Sequence, residues 1–235
     1  MLMVDMTWNE VEKCIVKVND NLIIPVGTCE QHGYHLPLGN DIFIVEYIAN
    51  ILSEKTNALV APTINYGVNL PCDMHLAGTT SIRPETLTEI IVSITDWWRQ
   101  QGIKHFLLLT YHGDPFHIKA MGKISDDIKL YDISKIEYSD ILEKQSSIRH
   151  ACEAETSVSL FLFPEKVKMQ SVREHDIQPA DFKEYLYHQK SNLPPDYVGN
   201  LGYPSAATKE KGNRITNRML DSTINACYDF LKPSY

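Results

Sequence analysis

The side chains able to bind a hard cation or move a proton are concentrated in a few short stretches. One is Gly27-Thr28-Cys29-Glu30-Gln31-His32-Gly33-Tyr34-His35-Leu36-Pro37-Leu38-Gly39-Asn40-Asp41. Glu30 and His32 are two apart, so an extended segment points them to the same side, and Asp41 returns where a helical pattern begins. For any one of these residues a simpler account exists: Asp41 as an N-cap, His32 or His35 as a hydrogen-bonded core histidine. Together they are harder to dismiss, because buried charges are costly unless paired or bound to a cation. A second stretch, Thr110-Tyr111-His112-Gly113-Asp114, presents an imidazole and a carboxylate at the same alternate spacing. In the third, His150-Ala151-Cys152-Glu153-Ala154-Glu155-Thr156-Ser157, the acidic residues open an apolar run, Val158 to Phe163, that reads as a helix. Their bland explanation is the attraction of carboxylates to a helix N-terminus.

The elements that must position these groups alternate. Thr7-Trp8-Asn9-Glu10 has the form of a capping box, starting a helix that runs to about Val18. Leu22 to Val26, Leu59 to Ala61 and Phe106 to Thr110 are short apolar runs closed by turn-forming or polar residues, as expected of buried parallel strands. Helical patterns cover Ile42 to Glu54 and Pro84 to Gln101, the latter with proline in its first turn and Gly102 just past its end. A last amphipathic helix spans about Asn213 to Leu231. The first two reactive stretches thus follow strand ends, the edge where ligands bind in a parallel α/β sheet. Glu174 to Gly202 is polar and broken, the pattern of a long functional loop or lid.

Composition narrows the function classes. A chain of 235 residues with 43% hydrophobic content suits one α/β domain over residues 1–235. The net charge is -8 and the basic residues are scattered, which argues against a nucleic-acid partner. Five cysteines without a C-x-x-C pair suggest free thiols and a cytoplasmic setting. No stretch approaches the roughly 18 apolar residues of a membrane span, and the N-terminus lacks a signal-peptide pattern.

Taken in order, Glu30-Gln31-His32-Gly33 with Asp41, Gly78-Thr79-Thr80, His112-Gly113, and His150 to Ser157 with its Glu-Thr-Ser ending resemble the signatures of the creatininase family. Gly202-Tyr203-Pro204 with Ala207-Thr208 and Lys211-Gly212 is similar to that family's C-terminal motif, so the likeness covers about residues 20 to 212. The resemblance implies a three-layer αβα fold with a mostly parallel sheet, a homo-oligomer (a hexamer or another multiple of a dimer or trimer), and two divalent ions per subunit, zinc, manganese or iron. By motif position Glu30, Asp41 and His112 hold one ion, Asp41 bridges, and His32 holds the other with Asp114 or Glu155. Here the sequence departs from the family, many of whose members read H-G-G-N while creatininase has a glutamate two after the histidine. His150 and Glu155 are the catalytic candidates, His150 as the proton shuttle.

The implied activity is hydrolysis of an amide or cyclic amide C-N bond in a small molecule, by a water acidified between the cations. The same site acting on a modified peptide terminus or on a C-C bond of a cyclic diketone is the alternative, and a non-catalytic metal-binding protein is the reading from another class. Gln31, His35 and Tyr111 could orient ligands through hydrogen bonds. His75 could face the pocket, within a specificity-bearing segment Val68 to Ala77, whereas His117 reads as a helix residue. Of Trp97 and Trp98, one is expected in the core and the other at a subunit interface. Cys29 and Cys152 occupy no ligand position and read as buried small hydrophobes.

Overall fold

A computed structural model describes residues 1–17, 19–145, 148–174 and 197–232. Four strands form one parallel sheet, β1 (Asn21–Val26), β2 (Leu59–Val60), β3 (His105–Thr110) and β4 (Ile128–Asp132), in the order β2-β1-β3-β4. Parallel pairing forces crossovers, and the helices that make them cover both faces. In β1 and β3 the side chains alternate between two cores. Ile23, Leu107 and Leu109 face α2 (Asn40–Thr56), α5 (Glu153–Leu162) and α6 (Lys209–Cys227) through Ile44, Val158 and Ile215. Leu22, Ile24, Phe106 and Leu108 face α1 (Trp8–Lys17), α3 (Pro84–Gln100) and α4 (Pro115–Met121) through Val11, Leu87 and Met121. The result is the three-layer αβα fold. Among the described residues no helix is long and apolar enough to cross a membrane.

Several element boundaries move from their sequence positions. The second strand is only Leu59–Val60, although Ala61 N still donates to Ile23 O. The last helix starts at Lys209 instead of Asn213, because Thr208 caps it by accepting from Lys211 N, and it ends at Cys227. Only half of the capping box forms: Glu10 accepts from Thr7 N, but the Thr7 hydroxyl donates to Asn9 and Glu10 rather than accepting an amide. Val18, the expected end of that helix, and residues 175–196 of the expected lid lie outside the described residues. β4 and the extent of α4 have no counterpart in the sequence reading. β4, Ile-Lys-Leu-Tyr-Asp, is a half-buried edge strand, so its polar residues hide the strand pattern. Trp98 packs in the α3-side core and Trp97 is exposed.

The C-terminal motif has a packing reason. A Cβ on Gly212 would lie 1.9 Å from Ser157 O, so only glycine lets α6 approach α5 this closely. Beside it Lys211 Nζ reaches Glu153 at 2.7 Å, Glu143 at 2.8 Å and Ala206 O at 2.7 Å, tying α6 to the start of α5.

Candidate metal centre

The loop after β1 carries Glu30 and His32, and its course is set by the 78–80 segment: Gln31 N donates to Thr79 Oγ1 at 2.9 Å, and Thr80 N to Cys29 O at 2.9 Å. Asp41 projects from the first turn of α2, where Gly39, not Asp41, is the N-cap. His112 follows β3, His150 precedes α5, and Glu155 lies on its first turn. Glu30, Asp41, His112, His150 and Glu155 line one cavity of about 270 Å3, and the buried His32 lies beside them, within reach of Asp41 and Glu155.

Two donor sets share Asp41. Its Oδ2 is 3.2 Å from His112 Nδ1, which is 3.1 Å from Glu30 Oε2. Its Oδ1 is 3.2 Å from His32 Nε2, which is 4.0 Å from Glu155 Oε2. Glu30 Oε2 and Asp41 Oδ2 are buried yet accept no well-formed hydrogen bond, although His112 Nδ1 is close to both. Glu30 Oε2, Asp41 Oδ2 and His112 Nδ1 lie within 4.8 Å of one another, close enough to share one ion. The opposite nitrogens of both rings are spoken for. His112 Nε2 donates to Val68 O at 3.0 Å and His32 Nδ1 to Glu30 O at 3.1 Å, which leaves His112 Nδ1 and His32 Nε2 as the free faces. A backbone carbonyl behind a histidine is the usual means of fixing a metal-binding tautomer. Divalent ions therefore fit these residues.

Without an ion, protons do the neutralising. Burial alone would push the His32 pKa down, but Asp41, Glu155 and Glu30 hold it up, to about 10, and Glu30 with Asp41 raises His112 likewise. Burial works against ionisation of Asp41 too, but His32 and His112 outweigh it and lower its pKa. At Glu155 burial prevails over His32 and His150 and lifts the carboxyl to about 7.

The expected site residues separate. Glu30, His32, Asp41, His112 and Glu155 come together, and His150 joins Glu30 and His32, its Nδ1 3.9 Å from Glu30 Oε2. Asp114 does not enter a donor set. Its Oδ1 caps α4, accepting from Phe116 N at 2.6 Å and His117 N at 3.3 Å, so its short arm is held at the cavity wall. Of the expected orienting residues only Gln31 contacts a site side chain, His150; His35 bonds Thr156, and the buried Tyr111 hydroxyl has no partner among the described residues. His75 is exposed and does not line the cavity. The buried side chain its segment delivers is Asp73, which the sequence reading missed because a lone carboxylate in a loop has no spacing to betray it. His117 is a helix residue as expected, but also buried behind the site, its ring 4.9 Å from that of His112. Cys152 is fully buried and burial raises its thiol to about 11, while Cys29 is half-buried and directs Sγ to Gly78 O; neither belongs to a donor set.

The family model for creatinine amidohydrolase matches residues 4–227. The chain belongs to the creatininase family. It is 24% identical to creatinine amidohydrolase from Pseudomonas putida over 98% of this chain and 97% of that one. It is 32% identical to 3-dehydro-scyllo-inosose hydrolase from Thermotoga maritima, over 68% of this chain but 55% of that one, and 28% identical to the mycofactocin precursor peptide peptidase of Mycobacterium tuberculosis over 87% and 83%. The crystal structure of creatinine amidohydrolase superposes with a TM-score of 0.82 at 22% identity, covering 99% of this chain and 98% of the other, which shows the fold. Zinc-zinc and manganese forms of creatininase superpose with TM-scores of 0.81 and 0.78. This creatininase-family chain is a hydrolase with a divalent-metal site.

Proposed function

We propose that this protein opens an amide or cyclic amide C-N bond of a small molecule with the help of two divalent ions. Glu30, Asp41 and His112 would hold one ion, and His32, Asp41 and Glu155 the other. The sharing of Asp41, one oxygen turned to each set, is the observation that carries this reading. Bound there, a cation pair supplies an acidified water and polarises a carbonyl. The chain's own groups do the rest. His150, with Nδ1 on the side of Glu30, takes a proton and returns it to the departing nitrogen. Leu70, Ile148 and Leu201 line the cavity with apolar surface, which limits competing water around the substrate.

Elemental analysis of the purified protein should find close to two ions per chain. Product analysis of the loaded enzyme on a panel of small cyclic amides, formamides, peptides and cyclic diketones should show a new amine and a new acid, on two products from an acyclic amide and on one ring-opened product from a cyclic one. A C-C cleavage product alone would refute the choice of bond. That second reading keeps the same site and is favoured by the likeness to the inosose hydrolase; action on a peptide terminus is favoured by the likeness to the peptidase. We further propose zinc, manganese or iron as the ions and a cytoplasmic homo-oligomer as the working form. Five free cysteines and the exposed Trp97 support the latter two points.

A further inference from the structure

Asp73 is a buried carboxylate on the cavity wall that neither donor set uses. Its Oδ1 is 2.6 Å from Gln31 Nε2, which is also 2.7 Å from Gly199 O and 2.8 Å from His150 Nε2. The orientation of the Gln31 amide is fixed, because its Oε1 accepts from Gly33 N at 2.9 Å while its nitrogen faces acceptors. A carboxamide nitrogen carries two hydrogens, and here three neighbours compete for them. The Asp73 carboxylate and the Gly199 carbonyl accept them, which leaves none for His150 Nε2. The same ring nitrogen is 2.6 Å from the Gln31 main-chain oxygen, a contact that needs a hydrogen between the two atoms. His150 Nε2 is therefore a donor, and in the neutral ring the lone pair sits on Nδ1. The Tyr197 hydroxyl, 3.3 Å from Asp73 Oδ1, and Cys72 Sγ, 3.5 Å from Oδ2, hold the carboxylate in place.

We propose that Asp73 and Gln31 are positioning residues that set the tautomer of His150. Asp73 takes one side-chain hydrogen of Gln31 and so prevents that amide from donating to His150 Nε2, which would move the ring proton to Nδ1. The inference rests on the reading of His150 as proton carrier, since only a bare Nδ1 can accept a proton on the side of Glu30. Removal of Asp73 would release one hydrogen whose nearest acceptor is His150 Nε2.

The test is a long-range proton-nitrogen correlation spectrum of zinc-loaded, histidine-labelled protein, read where His150 is neutral and assigned by the signals lost in His150→Gln. The wild type should carry its proton on Nε2. Asp73→Ala should raise the share of the Nδ1-protonated form about fivefold, the scale of one hydrogen bond. Asp73→Asn, which keeps an acceptor oxygen, should restore the wild-type pattern, and so should Gln31→Met added to Asp73→Ala. A wild-type ring protonated on Nδ1 would overturn the proposal whatever the variants' stability. So would an unchanged ratio in an Asp73→Ala protein that keeps its fold and zinc. If His150→Ala turned over normally, the proton-carrier reading would fail while the tautomer result stood.

Discussion

On α5, Glu153 is buried against a lysine and two backbone amides, while Glu155, two positions later, is buried beside His32 and Asp41 of the candidate metal centre. Lys211 Nζ is 2.7 Å from Glu153, and Glu143 N and Lys144 N donate to the same carboxylate at 2.9 and 3.1 Å. Its charge is matched and its acceptors are filled. Glu155 accepts from Ala151 N and otherwise faces His32 across 4.0 Å, with Asp41 nearby raising its pKa. Burial of the same side chain therefore means different things: a saturated carboxylate holds two helices together, and an undersaturated one keeps acceptor capacity for the ligand role proposed for it.

The largest effect should come from the shared ligand. Asp41→Ala removes an oxygen from both sets, and elemental analysis should find both ions lost together with all measurable turnover. Retention of one full equivalent would show that the sets are independent. Next, His150→Ala should keep its metal yet lose turnover by roughly two to four orders of magnitude, the usual worth of a positioned proton carrier. On the saturated side, Glu153→Ala leaves the Lys211 ammonium buried with only the exposed Glu143 as carboxylate partner. It should cost about 3 kcal/mol in urea denaturation, with metal content unchanged. A Glu153 variant that lost metal but not stability would erase the distinction between the two glutamates. The smallest effect is one of linkage. His32 and His112 are held protonated in the ion-free chain, so loading must expel protons. Affinity for zinc should rise with pH below about 10, by about tenfold per pH unit for each proton released, and calorimetry in buffers of different ionisation heat would count them.

How far the sequence reached depends on how local the signal was. β1, β3, α2 and α3 were legible because their burial is periodic or continuous along the chain. β4 was not, since a half-buried edge strand carrying Lys129 and Asp132 lacks that pattern, and α4 is too short to show one. At the site, Glu30, His32, Asp41 and His112 could be picked out by spacing after strand ends and by resemblance. The choice between Asp114 and Glu155 could not, because both lie near a helix N-terminus and both suit its dipole. The proposed assignment to Glu155 follows from tertiary distances: Asp114 spends one oxygen on capping α4 and joins no donor set among the described residues, whereas Glu155 comes within 4.0 Å of His32.

By itself the sequence determined the layer architecture, the strand ends at which chemistry gathers and the kinds of donor present, because side-chain periodicity and turn residues act over a few neighbours. Only the tertiary structure decided which donors meet, which carboxylate is already satisfied, and which nitrogen of each histidine is left open. Those outcomes hang on single backbone carbonyls, Glu30 O, Val68 O and Gln31 O, brought within about 3 Å of an imidazole by chain segments that can be far apart in sequence. A hydrogen bond is directional and saturable, so a shift of about 1 Å changes which atom it leaves free, and no pattern of residue types along the chain records that distance.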